Sequence, residues 1–288
     1  MKNFSTSGSL FSKNLSLNLG GKIMNLSTPR VMGIINTTPD SFYDGSRVSE
    51  PTLALEKARE MIDQGADILD VGAVSSRPGS QEISETEELE RLSPVLEAIR
   101  EAFPDFPVSV DTWRAGVART VRERFGIQLI NDISAGSFDP DMFPTMAQLG
   151  IPYIIMHMQG TPANMQDDPA YENLVDDLLQ FFAERVHKLS LLGLNDIVID
   201  PGFGFGKTLE QNYKLLSQLD SFRMFELPLM AGISRKSMIY KLLDSEPDDA
   251  LNGTTAAHMA LLLKGANLLR VHDVQAAVET VKIFQQIY

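Results

Sequence analysis

The chain has 288 residues, 43% of them hydrophobic, with 25 basic and 38 acidic side chains and a formal charge of −13. That is apolar material enough for a large core, and a surface of that sign repels nucleic acid and anionic membranes at long range. Cysteine is absent, which excludes a disulfide framework, a thiol nucleophile and a Cys-ligated metal, and fits a cytoplasmic protein. No apolar run reaches the roughly 18 residues of a membrane span, and the N-terminus lacks the apolar stretch of a signal peptide.

Residues 1–14 read as a polar, poorly ordered lead-in, and 15–288 are expected to form a single domain. Ser16-Leu17-Asn18-Leu19 and Ile23-Met24-Asn25-Leu26 alternate about Gly20-Gly21. They predict a β-hairpin, either a plug for a closed barrel end or a surface decoration. Val31 to Ile35 is a buried-type strand ending on Asn36, and Thr37 to Glu50 is a long polar loop of the kind that closes over sites. A helix is expected over 53–64, a strand over 68–72 and a second long loop over 73–82. Ser84 with Glu87 has the spacing of a capping box for the next helix.

The same grammar then repeats. Apolar runs at 108–110, 127–130, 153–156, 197–199, 227–232 and 267–272 each lead to a polar tip, and each is followed by a helical pattern. The clearest unit is Ile197-Val198-Ile199-Asp200-Pro201-Gly202-Phe203-Gly204-Phe205-Gly206-Lys207, a strand, a carboxylate and a glycine-rich turn. Eight strand–helix units imply parallel pairing and predict an α/β fold, a closed (β/α)8 TIM barrel with an N-terminal β-hairpin. An open doubly wound sheet is the rival, but no GxGxxG follows the first strand.

In such a barrel the C-terminal strand ends share one mouth. The tips are Asn36, Ser76, Asp111, Asn131, His157, Asp200, Lys236 and Arg270 with His272. A single polar tip is usually a turn former or helix cap; a full ring of them points to a site. Asp111, Asp200 and Asn131 offer acceptors for a flat heterocycle with amino and ring N–H groups. Lys236, Arg270 and His272 offer positive charge for phosphate, and oxygen donors beside diphosphate suit Mg²⁺. Gly202 to Thr208 is not a P-loop, because the first glycine of that motif would fall on Pro201. Met156-His157-Met158 has no second histidine at ligand spacing, so His157 reads as a packed strand residue, and His187 and His258 read as structural. Trp113 either walls the pocket or packs between barrel and helix.

These segments, in order, resemble the dihydropteroate synthases, a folate-pathway family of pterin-binding enzymes. The resemblance is carried by Gly33-Ile34-Ile35-Asn36-Thr37-Thr38-Pro39-Asp40-Ser41-Phe42, Ser75-Ser76-Arg77-Pro78-Gly79, Ser109-Val110-Asp111-Thr112 and Asn131-Asp132. It continues through Met156-His157-Met158-Gln159-Gly160, Asp200 to Lys207, Ser234-Arg235-Lys236 and Arg270-Val271-His272-Asp273-Val274.

The resemblance implies a transferase joining (7,8-dihydropterin-6-yl)methyl diphosphate to 4-aminobenzoate, with diphosphate released. It assigns Asn36 to Mg²⁺ and Arg270, Val271 and His272 to the diphosphate grip. Asp200, Asn131 and Lys236 fall to the pterin, and Asp111 to the charge developing at its methylene. Pro39, Ser76, Phe203 and Ser234 fall to the aminobenzoate pocket where sulfonamides compete. It further implies a homodimer and ordered binding, pterin diphosphate first. Val74 stands where many members carry an acid, and Ser76 where many carry threonine, which bears on sulfonamide sensitivity rather than catalysis. A pterin-dependent methyltransferase, sharing the barrel and the Asp/Asn set, and a non-catalytic pterin-binding paralogue are the alternatives.

Overall fold

The computed structural model describes residues 15–37, 50–74, 83–167 and 169–288. The lead-in over 1–14 and most of the two long loops, with Pro39 and Ser76, lie outside the described residues. Strands β1 (Ser16–Leu19) and β2 (Lys22–Asn25) form the expected hairpin. Gly20 and Gly21, at φ +64 and +93, supply the two left-handed residues that a tight two-residue turn requires.

The barrel strands are β3 (Arg30–Asn36), β4 (Ile68–Gly72), β5 (Val108–Asp111), β6 (Leu129–Asp132), β7 (Tyr153–Met156), β8 (Ile197–Asp200), β9 (Met230–Ala231) and β10 (Leu268–Val271). All pair in parallel in the order β8-β7-β6-β5-β4-β3-β10-β9, and the Ile199–Leu229 bridge brings β8 against β9 to close the ring. Between them run α1 (Glu50–Asp63), α2 (Glu85–Ala102), α3 (Ala115–Phe125), α4 (Met142–Leu149), α5 (Leu174–Leu191), α6 (Leu209–Ser217), α7 (Ser237–Tyr240), α8 (Leu251–Leu263) and α9 (Val274–Ile287).

Three local expectations are corrected. The strand expected over 227–232 shrinks to Met230–Ala231. Pro228 has no N–H to give the ladder, and the Leu229 N–H goes instead to the Asn267 side chain at 3.0 Å. The strand expected over 127–130 begins at Leu129 and runs on to Asp132. At α2 only half of the capping box forms: Ser84 accepts from the Glu87 N–H, but the Glu87 carboxylate turns to Arg91 at 2.6 Å. The complete box belongs to α6, between Thr208 and Gln211.

Strand parity divides the core. Outward residues such as Val31, Val71, Val110, Ile155, Ile199 and Leu269 join the helices in one large cluster. Gly33 also faces outward; an added Cβ would lie 2.7 Å from Met61 Sδ, so its absence lets α1 pack against the strand. Inward residues near the strand starts, among them Met32, Ile68, Leu129, Ile154, Val198 and Leu268, form a second cluster with Leu17, Leu19 and Leu26. The hairpin is therefore a plug, closing one barrel end with leucines worth about 1.5–3 kcal/mol each in burial. Further along the strands the inward positions turn polar, which leaves the opposite end for chemistry.

Candidate active site

The centre of the C-terminal mouth is Arg270. From β10 its Nε donates to Asp70 Oδ2 at 2.6 Å and its Nη2 to Asp111 Oδ2 at 2.8 Å. Asp70 lies in mid-β4 and is fully buried. The same Asp70 oxygen accepts from Asn131 Nδ2 at 3.0 Å. A carboxylate can only accept here, so Asn131 must turn its nitrogen towards Asp70 and leave its oxygen free to receive a donor. Asp70 Oδ1 and Asn131 Oδ1 are buried and make no hydrogen bond with the described residues. Sequence reasoning missed Asp70. The signal was a charge at an inward-parity position inside the apolar run Ile68-Leu69-Asp70-Val71.

Asp200, 4% exposed, closes the other side and accepts the Gly202 N–H at 2.8 Å. Gly202 sits at φ +73, and a Cβ there would lie 1.9 Å from the His157 carbonyl oxygen, so only glycine fits. Lys236 donates to the Phe203 carbonyl at 2.6 Å and holds its ammonium 4.3 Å over the Phe205 ring. Gly232 lies against both Lys236 and Arg270, where an added Cβ would sit 3.9 Å from the Lys236 Nζ and 3.8 Å from the Arg270 Cβ, in ordinary contact. Ser234 Oγ accepts the His272 backbone N–H at 3.2 Å, tying the turn after β9 to the end of β10. Asn36, half-buried, ends β3.

The structure thus gathers Asp111, Asn131, Asp200, Lys236, Arg270, His272 and Ser234 at one end. Two of the assigned residues turn their side chains away from the barrel interior. The Phe203 ring is fully buried among the outer-core residues, and its carbonyl accepts from Lys236. The Val271 side chain also points outward into that core, so only its backbone can serve a ligand. His157 is a packed strand residue, edge-on to Phe181 at 4.7 Å. Trp113 packs edge-on to Phe138 and under Arg114. Open clefts between α5 and α6 and beneath the hairpin contain none of the tip residues. Convergence of polar groups, not cleft size, marks the site.

Burial sets the charges. It pushes the Asp111 carboxyl up, against Arg270, with Asp70 adding to the rise. It pushes Asp200 up against the pull of Lys236. The Lys236 ammonium is brought down to about 8, chiefly by burial, with Asp200 opposing and Arg270 reinforcing. Arg270 stays charged because its two carboxylate partners outweigh its own burial. His272, one of the groups read as cationic or able to become so, is brought down to about 4 by burial and then by Arg270, and is neutral near pH 7.

His258 is likewise lowered to about 4 by burial. Both folded-state values lie below the ordinary 6.5. Their contribution to stability is therefore complete above that value and is lost as pH falls towards 4. NMR titration should place His272 near 4, with unfolding free energy declining from pH 6.5 downwards; a His272 midpoint at or above 6.5 contradicts this.

A pterin binding enzyme family matches residues 32–272. The dihydropteroate synthase of Haemophilus influenzae is 42% identical over 94% of this chain and 98% of its own length. The Yersinia pestis dihydropteroate synthase, solved in a sulfonamide drug complex, superposes with a TM-score of 0.89 at 42% identity, covering 95% of this chain and 99% of that one. The Xanthomonas albilineans enzyme solved with 7,8-dihydropteroate gives 0.85 at 35% identity, covering 94% and 98%. Neither loops nor single motifs carry a likeness of that extent: the chain belongs to the pterin-binding enzyme family, among the dihydropteroate synthases.

Proposed function

We propose that the protein condenses (7,8-dihydropterin-6-yl)methyl diphosphate with 4-aminobenzoate. The aniline nitrogen attacks the methylene carbon, the carbon–oxygen bond breaks with its electron pair on diphosphate, and the new amine loses a proton. The observation that supports this best is the meeting of heterocycle acceptors with cations in one mouth. The Asn131 oxygen, fixed by Asp70, and the Asp200 carboxylate accept the pterin N–H groups, and Lys236 donates to its O4/N5 edge. Asp111, beside the reacting methylene, offsets the positive charge that develops there. Arg270 has given two of its five N–H bonds to carboxylates, which leaves donors for diphosphate oxygens. His272 approaches the same group as a neutral donor, and the incoming anion favours its protonation. Ser234, Ser76 and Pro39 fall to the second substrate. The sulfonamide-bound relative supports competition by such drugs at that pocket.

Among the described residues no three His, Cys, Asp or Glu gather into a metal site. Asn36 offers a single carboxamide oxygen, next to a cationic phosphate grip. That donor set fits a Mg²⁺ carried in on diphosphate and keeping most of its waters, not a resident ion. When bound, the ion neutralises diphosphate and eases its departure. A pterin-dependent methyltransferase would share the acceptors but have no use for Arg270 and His272 as a phosphate grip.

The exposed apolar residues of α8 support the reading of a homodimer. Leu251 to Leu263 contains no charged residue, although Leu251 and Leu263 are exposed, and Ile283 and Ile287 of the adjoining α9 are exposed too. A helix apolar on its outer face is expected to be covered. We take a second copy of this chain as that cover, in keeping with the homodimer that the family resemblance implies. Sedimentation should give twice the monomer mass, reduced by Leu263→Glu; a monomeric wild type refutes the dimer.

Mixing both substrates should release diphosphate, and chelating Mg²⁺ should suppress it. Asp111→Asn and Lys236→Ala should each lower turnover at least ~100-fold, the scale of one lost preorganised electrostatic contact. Near-normal turnover in both variants removes the site assignment.

A further inference from the structure

Lys207 is a buried ammonium that the reaction does not use. Its side chain is 3% exposed. It turns back from the end of the loop that follows Asp200. Its Nζ donates to the Gly202 carbonyl at 2.9 Å, the Phe205 carbonyl at 3.0 Å and the His157 carbonyl at 3.4 Å, and it lies 3.1 Å from His157 Nδ1. Burial brings the Lys207 ammonium down to about 7 against the pull of Asp200; in its charged form it has only donors, and the His157 ring then presents Nδ1 as an acceptor and carries its proton on Nε2. Four acceptors from two successive strand ends converge on one cation. Without it, the His157 and Phe205 carbonyls and His157 Nδ1 would lose this partner in a site closed to water, at a cost, while the Gly202 carbonyl would keep the Phe205 N–H.

The outer side of the same loop faces the mouth. The Gly202 N–H holds Asp200 Oδ1, and the Phe203 carbonyl takes the Lys236 ammonium. The loop needs left-handed backbone at Gly202, Gly204 and Gly206, at φ +73, +81 and +59, so its shape is imposed rather than preferred. Tyr171 and Gln166 reach only the carbonyls on its flank, of Gly206 and Gly204. On the inner face Lys207 is the side chain that meets the Gly202 and Phe205 carbonyls, and the Gly202 carbonyl also accepts the Phe205 backbone N–H at 3.1 Å.

We infer that Lys207 is a positioning residue: by gathering the His157, Gly202 and Phe205 carbonyls it sets the loop that aims Asp200 and Lys236 at the pterin. It acts through those two residues and touches no substrate. The inference rests on the reading of Asp200 and Lys236 as the pterin's holders.

The test replaces the cation and then returns it. Lys207→Met keeps the bulk and removes the charge. Lys207→Ala leaves space for propylammonium, which restores the missing carbons and nitrogen. Kinetics with both substrates, and thermal unfolding, are followed with and without the amine. Lys207→Met should raise the KM for pterin diphosphate at least ~10-fold, on the scale of a small misplacement of binding groups. The KM for 4-aminobenzoate should change less than ~2-fold. Propylammonium should return Lys207→Ala towards the wild-type KM, and tetramethylammonium should not. Equal losses for both substrates, an unchanged KM in Lys207→Met, or no gain with propylammonium overturn the inference, and a Lys207→Ala protein that stays unfolded with the amine does so as well. A wild type that releases no diphosphate instead overturns the functional reading beneath it.

Discussion

The Arg270 guanidinium spans the barrel mouth, joining Asp70 and Asp111 from strands far apart in sequence. Carboxylates so thoroughly buried carry a large desolvation cost unless a partner meets them with good geometry. Arg270 meets both with directed N–H bonds, and Asp70 in turn orients Asn131. One cation therefore fixes two anions and an amide, and what it leaves free is a row of acceptors and donors facing the same opening. The interaction is an organising one rather than a source of net stability, since an apolar filling of the same volume would hold the barrel as well.

The barrel makes this arrangement possible by separating two environments along the same strands. Leucines of the hairpin fill one end, so the inward positions there are dry and apolar. At the other end the inward positions carry Asp70, Asp111, Asn131, Asp200 and Arg270. Three acids face Arg270, Lys236 and, from behind the glycine loop, Lys207. Burial drives Asp111 and Asp200 towards protonation and the lysines towards neutrality, and each sign restrains the other. The result is a mouth whose charges are set in advance of the substrate, which is the condition for electrostatic catalysis.

Much of this was legible in the chain. Apolar runs ending on Asn36, Asp111, Asn131 and Asp200 gave away strand number and direction, because a parallel barrel repeats one local unit. The hairpin was visible in Gly20-Gly21, though its use as a plug depended on where Leu17 and Leu19 pack. Asp70 escaped because tips, not interior strand positions, were searched; only parity places it inward. The facing of Phe203 and Val271 was hidden for the same reason, since motif membership says nothing of which way a side chain points. The charge of His272 depends on burial beside Arg270, and the short β9 on where the Asn267 side chain lies. Both depend on tertiary contact; only Pro228, which has no N–H for the ladder, marks the second in the local pattern.

A double-mutant cycle between Asp70→Asn and Arg270→Gln, read on kcat/KM for pterin diphosphate, probes the shared network directly. If Arg270 and Asp70 act as one unit, each single change should already lose most of what the pair provides, and the double variant should be little worse than the poorer single. Losses that simply add, as for two residues with independent roles, would contradict it.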